Sequence, residues 1–207
     1  SFWRPSQSRA TTTTMWSIRS RRIVVALVAL VALGGAEARA RAVGRVQLSL
    51  HGVLGDAVNL GPPQQLRTTI VFFMSRRAKE ASTAFARAVD ETLLNAPVES
   101  VSIVDVQPYG GILRRLATSY LRKSAEEALS HRRERRLAKG IDASAELVNR
   151  WHLIGDFDGA LFDRFGVKRE PARPLAFVLD KEGGVHGPFA DVAGVLAACA
   201  TLTAPPR

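Results

Sequence analysis

The feature that most constrains the fold is Thr68-Thr69-Ile70-Val71-Phe72-Phe73-Met74, an apolar, β-rich run that passes at once into Ser75 and a helical pattern. Such an unbroken run suits a central strand covered on both faces rather than a strand with one wet side. Ala78, Ala81, Phe85, Ala88, Val89 and Thr92 then recur at helical spacing, so the sequence predicts a helix from Arg76 to about Asn95, stopped by Pro97. Val98 to Val106 reads as a second strand. Strand, helix and strand in that order imply a parallel βαβ unit with a right-handed crossover.

Beyond it, Pro108-Tyr109-Gly110-Gly111 breaks the strand, and a long helical stretch runs to Lys139, where Gly140 stops it. Its length exceeds a simple crossover and predicts an inserted or elongated helix. A short helix over Ala143–Arg150, a strand over Trp151–Ile154, a turn at Asp156–Gly159 and a helical turn over Ala160–Phe165 ending at Gly166 follow. Leu175–Leu179, a turn at Asp180–Gly184 and a strand from Val185 predict an antiparallel hairpin, and Val192–Leu202 a closing helix. Parallel strands first and a hairpin last give an α/β chain with a mixed central sheet and helices on both faces.

The N-terminal part reads as an export segment. Residues 1–14 are an expected upstream extension. Residues 15–42 have the pattern of a secretory signal peptide: Met15 begins an Arg-rich stretch, Ile23–Leu33 is apolar, and alternating alanines at 36, 38, 40 and 42 offer cleavage positions. The apolar run is short for a membrane span, although an uncleaved anchor is the alternative. Residues 43–65 predict an N-terminal strand or hairpin, and residues 66–203 the main domain. The 207 residues carry a formal charge of +10, but residues 1–42 hold seven of the 29 Lys and Arg and one of the 19 acids, leaving +4 on the rest. That excess is too small to argue for a nucleic-acid partner. The expected location is periplasmic or extracellular, with an unidentified envelope protein or peptide as partner.

Two stretches resemble a known superfamily. Asp156-Phe157-Asp158-Gly159-Ala160-Leu161-Phe162-Asp163-Arg164-Phe165-Gly166-Val167, followed by Pro174-Leu175-Ala176-Phe177-Val178-Leu179-Asp180-Lys181-Glu182-Gly183, is similar to the C-terminal half of redoxin and thiol-peroxidase-like domains. The resemblance implies a thioredoxin-like three-layer fold with a helical insertion. It also implies a cis bond before Pro174, facing the redox motif, and it places Ser75, Arg76, Arg77 and Ala78 where those proteins carry Cys-x-x-Cys. A narrower likeness to YtfJ-type periplasmic proteins, which also lack the dithiol, rests on the Ala-Lys-Glu helix start, the export segment and the Leu-Asp-Lys-Glu-Gly hairpin.

Thiol–disulfide exchange needs a thiolate, usually made available by a lowered cysteine pKa at a helix N-terminus. A serine hydroxyl there stays protonated, so Ser75 is expected to be a helix N-cap and no catalytic residue is assigned. Arg76 and Arg77, beside a helix N-terminus, could hold an anion or a partner carboxylate. Cys199 is the only cysteine, so no intrachain disulfide can form among these residues. It falls on the apolar face of the last helix, where cysteine behaves as a small buried hydrophobe. His51, His131, His152 and His186 lack metal-ligand spacing, and neither metal nor cofactor is expected. Arg132, Arg133, Arg135 and Arg136 read as a solvated helix face, or as a basic patch for lipid headgroups or an acidic partner. Pro108–Gly111, at the carboxyl end of a strand, is a position where α/β folds bind ligands.

Three functions follow. The favoured one is a non-catalytic envelope protein that binds a protein or peptide around Arg76, Arg77 and Pro174. The others are a thiol oxidoreductase or peroxidase-like enzyme using Cys199 or a partner's thiol, and a membrane-surface protein held by its uncleaved leader and the basic patch.

Overall fold

A computed structural model describes residues 44–62, 67–107, 112–148 and 150–203. The expected export segment 1–42 and Pro108–Gly111 lie outside them.

A hairpin of β1 (Leu48–His51) and β2 (Ala57–Leu60) precedes a sheet of β3 (Thr68–Met74), β4 (Val98–Asp105), β5 (Trp151–Asp156), β6 (Leu175–Leu179) and β7 (Val185–Phe189). The sheet order is β5-β4-β3-β6-β7. β3 pairs in parallel with β4, and β4 with β5, whereas β6 runs antiparallel to β3 and β7 antiparallel to β6. The helices are α1 (Lys79–Thr92), α2 (Ile112–Ala138), α3 (Ala145–Val148), α4 (Ala160–Arg164) and α5 (Val192–Thr203).

β3 is buried along nearly its whole length because its two faces meet different layers. Val71 and Phe73 point with Val101, Ile103, Phe177 and Leu179 toward the hairpin and the α4 segment, where Phe73 packs edge-on against Phe162 and Phe177. Ile70 and Phe72 point the other way, against Phe85 and Val89 of α1 and Val195 and Cys199 of α5. The strand's period of two thus feeds two cores, which is why its sequence shows no polar alternation. A third cluster joins Leu121 and Ala125 of α2 to Leu153 and Val106 at the β5 side.

The N-terminal hairpin is fastened to the sheet. Val53 N–H donates to the Leu153 carbonyl at 2.8 Å, and Val46 N–H to the Gly183 carbonyl at 2.9 Å. His152 stands between two carboxylates: Nδ1 meets Asp56 of the hairpin turn, and Nε2 lies 2.9 Å from Glu99 of β4. Burial opposes the charged ring, but the bonds to Glu99 and Asp56 outweigh it and raise its pKa.

Three expectations need correction. The first helix starts at Lys79, not Arg76, with Ala78 at its N-cap and no side-chain capping bond. Arg76 to Ala78 form a turn, because the Ser75 hydroxyl takes the Ala78 N–H at 3.2 Å and closes the chain there before the helix begins. Secondly, Arg173–Pro174 is trans, and the cis bond among the described residues is Gly187–Pro188 in β7. The loop before β6 reaches the motif through the Pro171 carbonyl, three residues earlier than Pro174, so the contact does not depend on a turn at Pro174.

The third correction concerns the arginine run. Arg132 and Arg136 are only 5% and 2% exposed. Arg132 Nη1 sits 2.6 Å from Asp90 Oδ1, an ion pair at an angle poor for hydrogen bonding, and Arg135 Nη2 donates to Asp90 Oδ2 at 3.1 Å. Arg136 donates to the carbonyls of Leu94 and Asp142. Three of the four arginines therefore clamp the end of α1, where helix carbonyls concentrate negative potential. Arg133 is exposed.

Candidate functional site: the Ser75 turn beside an apolar groove

Ser75 follows the last residue of β3 and leads into the turn before α1. It is 3% exposed. Its hydroxyl donates to the Pro171 carbonyl at 3.0 Å and accepts the Ala78 N–H. Both hydrogen-bonding roles of the hydroxyl are thus spent inside the protein, and it is not presented to an incoming group as a nucleophile. Ala78 is buried, while Arg76 and Arg77 are exposed. Arg76 Nη2 lies 3.9 Å from Glu170 Oε1, both in solvent, a contact of little energy. Glu170 has φ of 47°, a left-handed conformation uncommon for its type, and it is the loop from here to Pro174 that faces the motif. The β3–β6 register, which pairs Phe73 with Leu175, brings Pro174 alongside the Met74–Ser75 end.

Cys199 is elsewhere. It lies 2% exposed on α5, among Ile70, Phe72 and Val195, where burial pushes its thiol up to about 11. At neutral pH the group is a thiol with negligible thiolate, unsuited to exchange chemistry.

The Asp156-Phe157-Asp158-Gly159 signature is structural. Asp156 ends β5, and its carboxylate accepts the N–H groups of Gly159, Leu161 and Phe162 at 3.0 Å each. Burial raises the Asp156 pKa despite these bonds, while the Ala160 N–H and Asp156 hold Asp158 low. Among the described residues no group of His, Cys, Asp and Glu could hold a metal ion, and no helix is long and apolar enough to cross a membrane.

A groove of about 600 Å³ opens beside Ser75, between α1 and α2. Its floor is Met74, Val104, Val106, Trp151 and Leu153, from the ends of β3 and β4 and from β5. Its α2 wall is a stripe of Leu113, Leu116, Ala117, Tyr120, Leu121, Ser124 and Ala128. Arg76, Lys79 and Thr83 form the wall on the α1 side, and Asp105, largely buried and accepting the Gln107 N–H, is the groove's acid. Leu113, Leu116 and Tyr120 are 52%, 63% and 61% exposed, large side chains left more than half uncovered along the groove. Sequence reasoning missed this groove. Its signal was the spacing of three and four residues along α2, which by itself describes any helix lying on a core.

No protein-family model matches the chain, and no curated protein matches it by sequence. Solved structures do match. BsSco, a member of the Sco family of cytochrome c oxidase assembly proteins, aligns at 10% identity and a TM-score of 0.50 over 80% of this chain and 96% of that one. The pneumococcal exposed lipoprotein thioredoxin Etrx1 of Streptococcus pneumoniae aligns at 16% identity and 0.46, over 76% of this chain and all of that one. StoA from Bacillus subtilis aligns at 13% and 0.44, over 76% and 98%. The fold is thioredoxin-like: a five-stranded mixed sheet with α1, α2 and α5 on one face and the hairpin and α4 on the other. At the β3–α1 junction, where the superfamily resemblance places the redox motif, this chain has Ser-Arg-Arg-Ala.

Proposed function

We propose that this is an exported thioredoxin-like protein of the cell envelope that binds a partner or ligand at the motif end of its sheet and performs no thiol chemistry there. The observation that carries the reading is Ser75: buried, bonded on both sides within the protein, and standing where a thiolate would have to be exposed. The groove opening beside it, with Arg76 and Lys79 at its wall, supplies a binding surface in place of a reactive one. Export rests on the sequence pattern of residues 15–42. An envelope location agrees with the lipoprotein thioredoxin among its structural neighbours.

The competing enzyme reading needs either Cys199, which is buried with its thiol pushed up to about 11, or a partner's thiol. The membrane-patch reading needs arginines that instead grip α1. The test is disulfide and hydroperoxide reductase activity of the full chain beside Cys199→Ser. Neither should turn over above the uncatalysed rate, and turnover that disappears with the substitution would overturn the reading. The N-terminal mass of protein recovered from the envelope should correspond to a start at residue 39, 41 or 43; an intact leader would instead support the anchored alternative.

A further inference from the structure

The groove's shape and charge narrow what it can hold. The α2 stripe from Leu113 to Ala128 spans about 22 Å at 1.5 Å per residue. Spread over that length, about 600 Å³ gives a mean cross-section of about 27 Å². An α-helix with its side chains is about 10–12 Å across, on the order of 90 Å² in section, so it would lie across the open mouth rather than fill the groove. A single hydrocarbon chain, whose carbons sit about 4 Å from neighbouring surfaces, fills such a channel.

An extended peptide suits the groove poorly for a different reason. Each of its residues brings an N–H and a C=O that need partners. The floor offers apolar side chains from β3, β4 and β5; β3 and β4 are paired on both sides, and β5, the edge strand, is paired with β4 and gives its Leu153 carbonyl to Val53 of the hairpin. The Ser75 hydroxyl is occupied, and Asp105 accepts internally. A peptide lying in the groove would run over the sheet face, out of line with the outer edge of β5 where a strand could add. The wall's two cations, Arg76 and Lys79, outweigh the one acid, Asp105, so the lining carries a net positive charge. Among the described residues the Arg76 side chain is committed only to a solvent-exposed 3.9 Å contact with Glu170, which another carboxylate can replace.

From the narrow apolar channel and its cationic α1 wall, we infer that the groove binds one molecule of a free long-chain carboxylate, a monoacyl anionic amphiphile with its headgroup at Arg76 and Lys79 and its chain along the α2 stripe. The inference rests on the reading of the motif end as a binding surface. At about 1.3 Å of reach per carbon in an extended chain of 1.5 Å bonds, the stripe accommodates about sixteen carbons. Leu116 and Tyr120 then cease to be exposed apolar surface and become one side of the chain's sheath.

The test is calorimetric titration of the full chain with decanoate, dodecanoate and hexadecanoate below their micellar concentrations. One saturating site per protein is expected, tightening roughly tenfold for each two methylenes added. Leu116→Glu, at a position exposed enough to leave folding intact, should weaken hexadecanoate at least tenfold. Tyr120→Glu repeats the test should Leu116→Glu misfold by circular dichroism. Arg76→Glu with Lys79→Glu should weaken it three- to tenfold, and dodecan-1-ol should bind correspondingly less well than dodecanoate. The exposed, distant Arg133→Glu should change nothing. Absence of saturable binding, equal affinity for the alcohol, or indifference to both Leu116→Glu and Tyr120→Glu would overturn the inference. So would binding seen only on phosphatidylglycerol vesicles or only with an amphipathic helical peptide. Reductase turnover would sink the binding-protein reading without altering these titrations, whereas failed titrations without turnover would sink this inference alone.

Discussion

Two arginine-rich runs lie close to the two ends of α1, and their fates are opposite. At the N-terminal end Arg76 and Arg77 stand in solvent, and among the described residues the Arg76 side chain is paired only with an exposed glutamate. At the C-terminal end Arg132, Arg135 and Arg136 reach across from α2, bind Asp90 and the Leu94 carbonyl, and two of them are almost wholly buried. The first run is available for recognition, and the second has become part of the scaffold. A cluster of like charges in a sequence thus says little about surface potential until its counter-charges are located: here one acid 42 residues upstream and a pair of backbone carbonyls turn a basic patch into a clamp.

The sharpest way to break this contrast is to remove the acid from the clamp. Asp90→Ala leaves Arg132 buried without its counter-charge, where burial already pushes the guanidinium pKa down. The expected loss is about 3–5 kcal/mol of unfolding free energy by urea titration. A loss below about 1 kcal/mol would return the run to the surface. The hairpin clip comes next. His152 has a raised folded pKa, so its contribution is fully present below the unfolded value of about 6.5 and is lost as pH rises through the folded pKa. Raising the pH from 6 to 9 should therefore lower the urea midpoint by the equivalent of about 1–2 kcal/mol. That decline should be absent in His152→Gln, and an unchanged slope in the variant would assign the effect to another group. Smallest is the exposed run: Arg76→Ala and Arg77→Ala should each shift stability by less than about 0.5 kcal/mol. A larger shift in either would mean that both runs are structural.

Much of the fold was legible because its punctuation is local. The strand Leu175–Leu179 agrees residue for residue with its expected bounds, since Pro174 precedes it and Asp180–Gly184 supplies a turn in which Asp180 accepts the N–H groups of Glu182 and Gly184. The long helix to Lys139 and the closing helix were equally plain from their periodicity and stops. What the sequence hid depends on contacts between distant residues. The late start of α1 follows from the Ser75 hydroxyl and its link to Pro171, 96 residues on. Burial of Arg136 depends on carbonyl acceptors, which leave no trace in side-chain pattern. The groove arises from how α1 and α2 are spaced over the sheet, and helical periodicity alone cannot distinguish a covered stripe from a half-open one. The expectation of a cis bond at Pro174 came from the superfamily pattern and not from the dipeptide, and this chain places its cis bond at Gly187–Pro188.

Buried as it is, Cys199 leaves this chain without an available thiolate near neutral pH, and its alkylation rate against pH reads this out. With a thiol pKa near 11, about one molecule in a thousand is ionised at pH 8. Iodoacetamide should therefore label the native protein at least a hundredfold more slowly than the urea-unfolded chain, with the rate still climbing at pH 10. Rapid native labelling with a midpoint below about 8.5 would reveal an accessible, activated thiol and contradict the account.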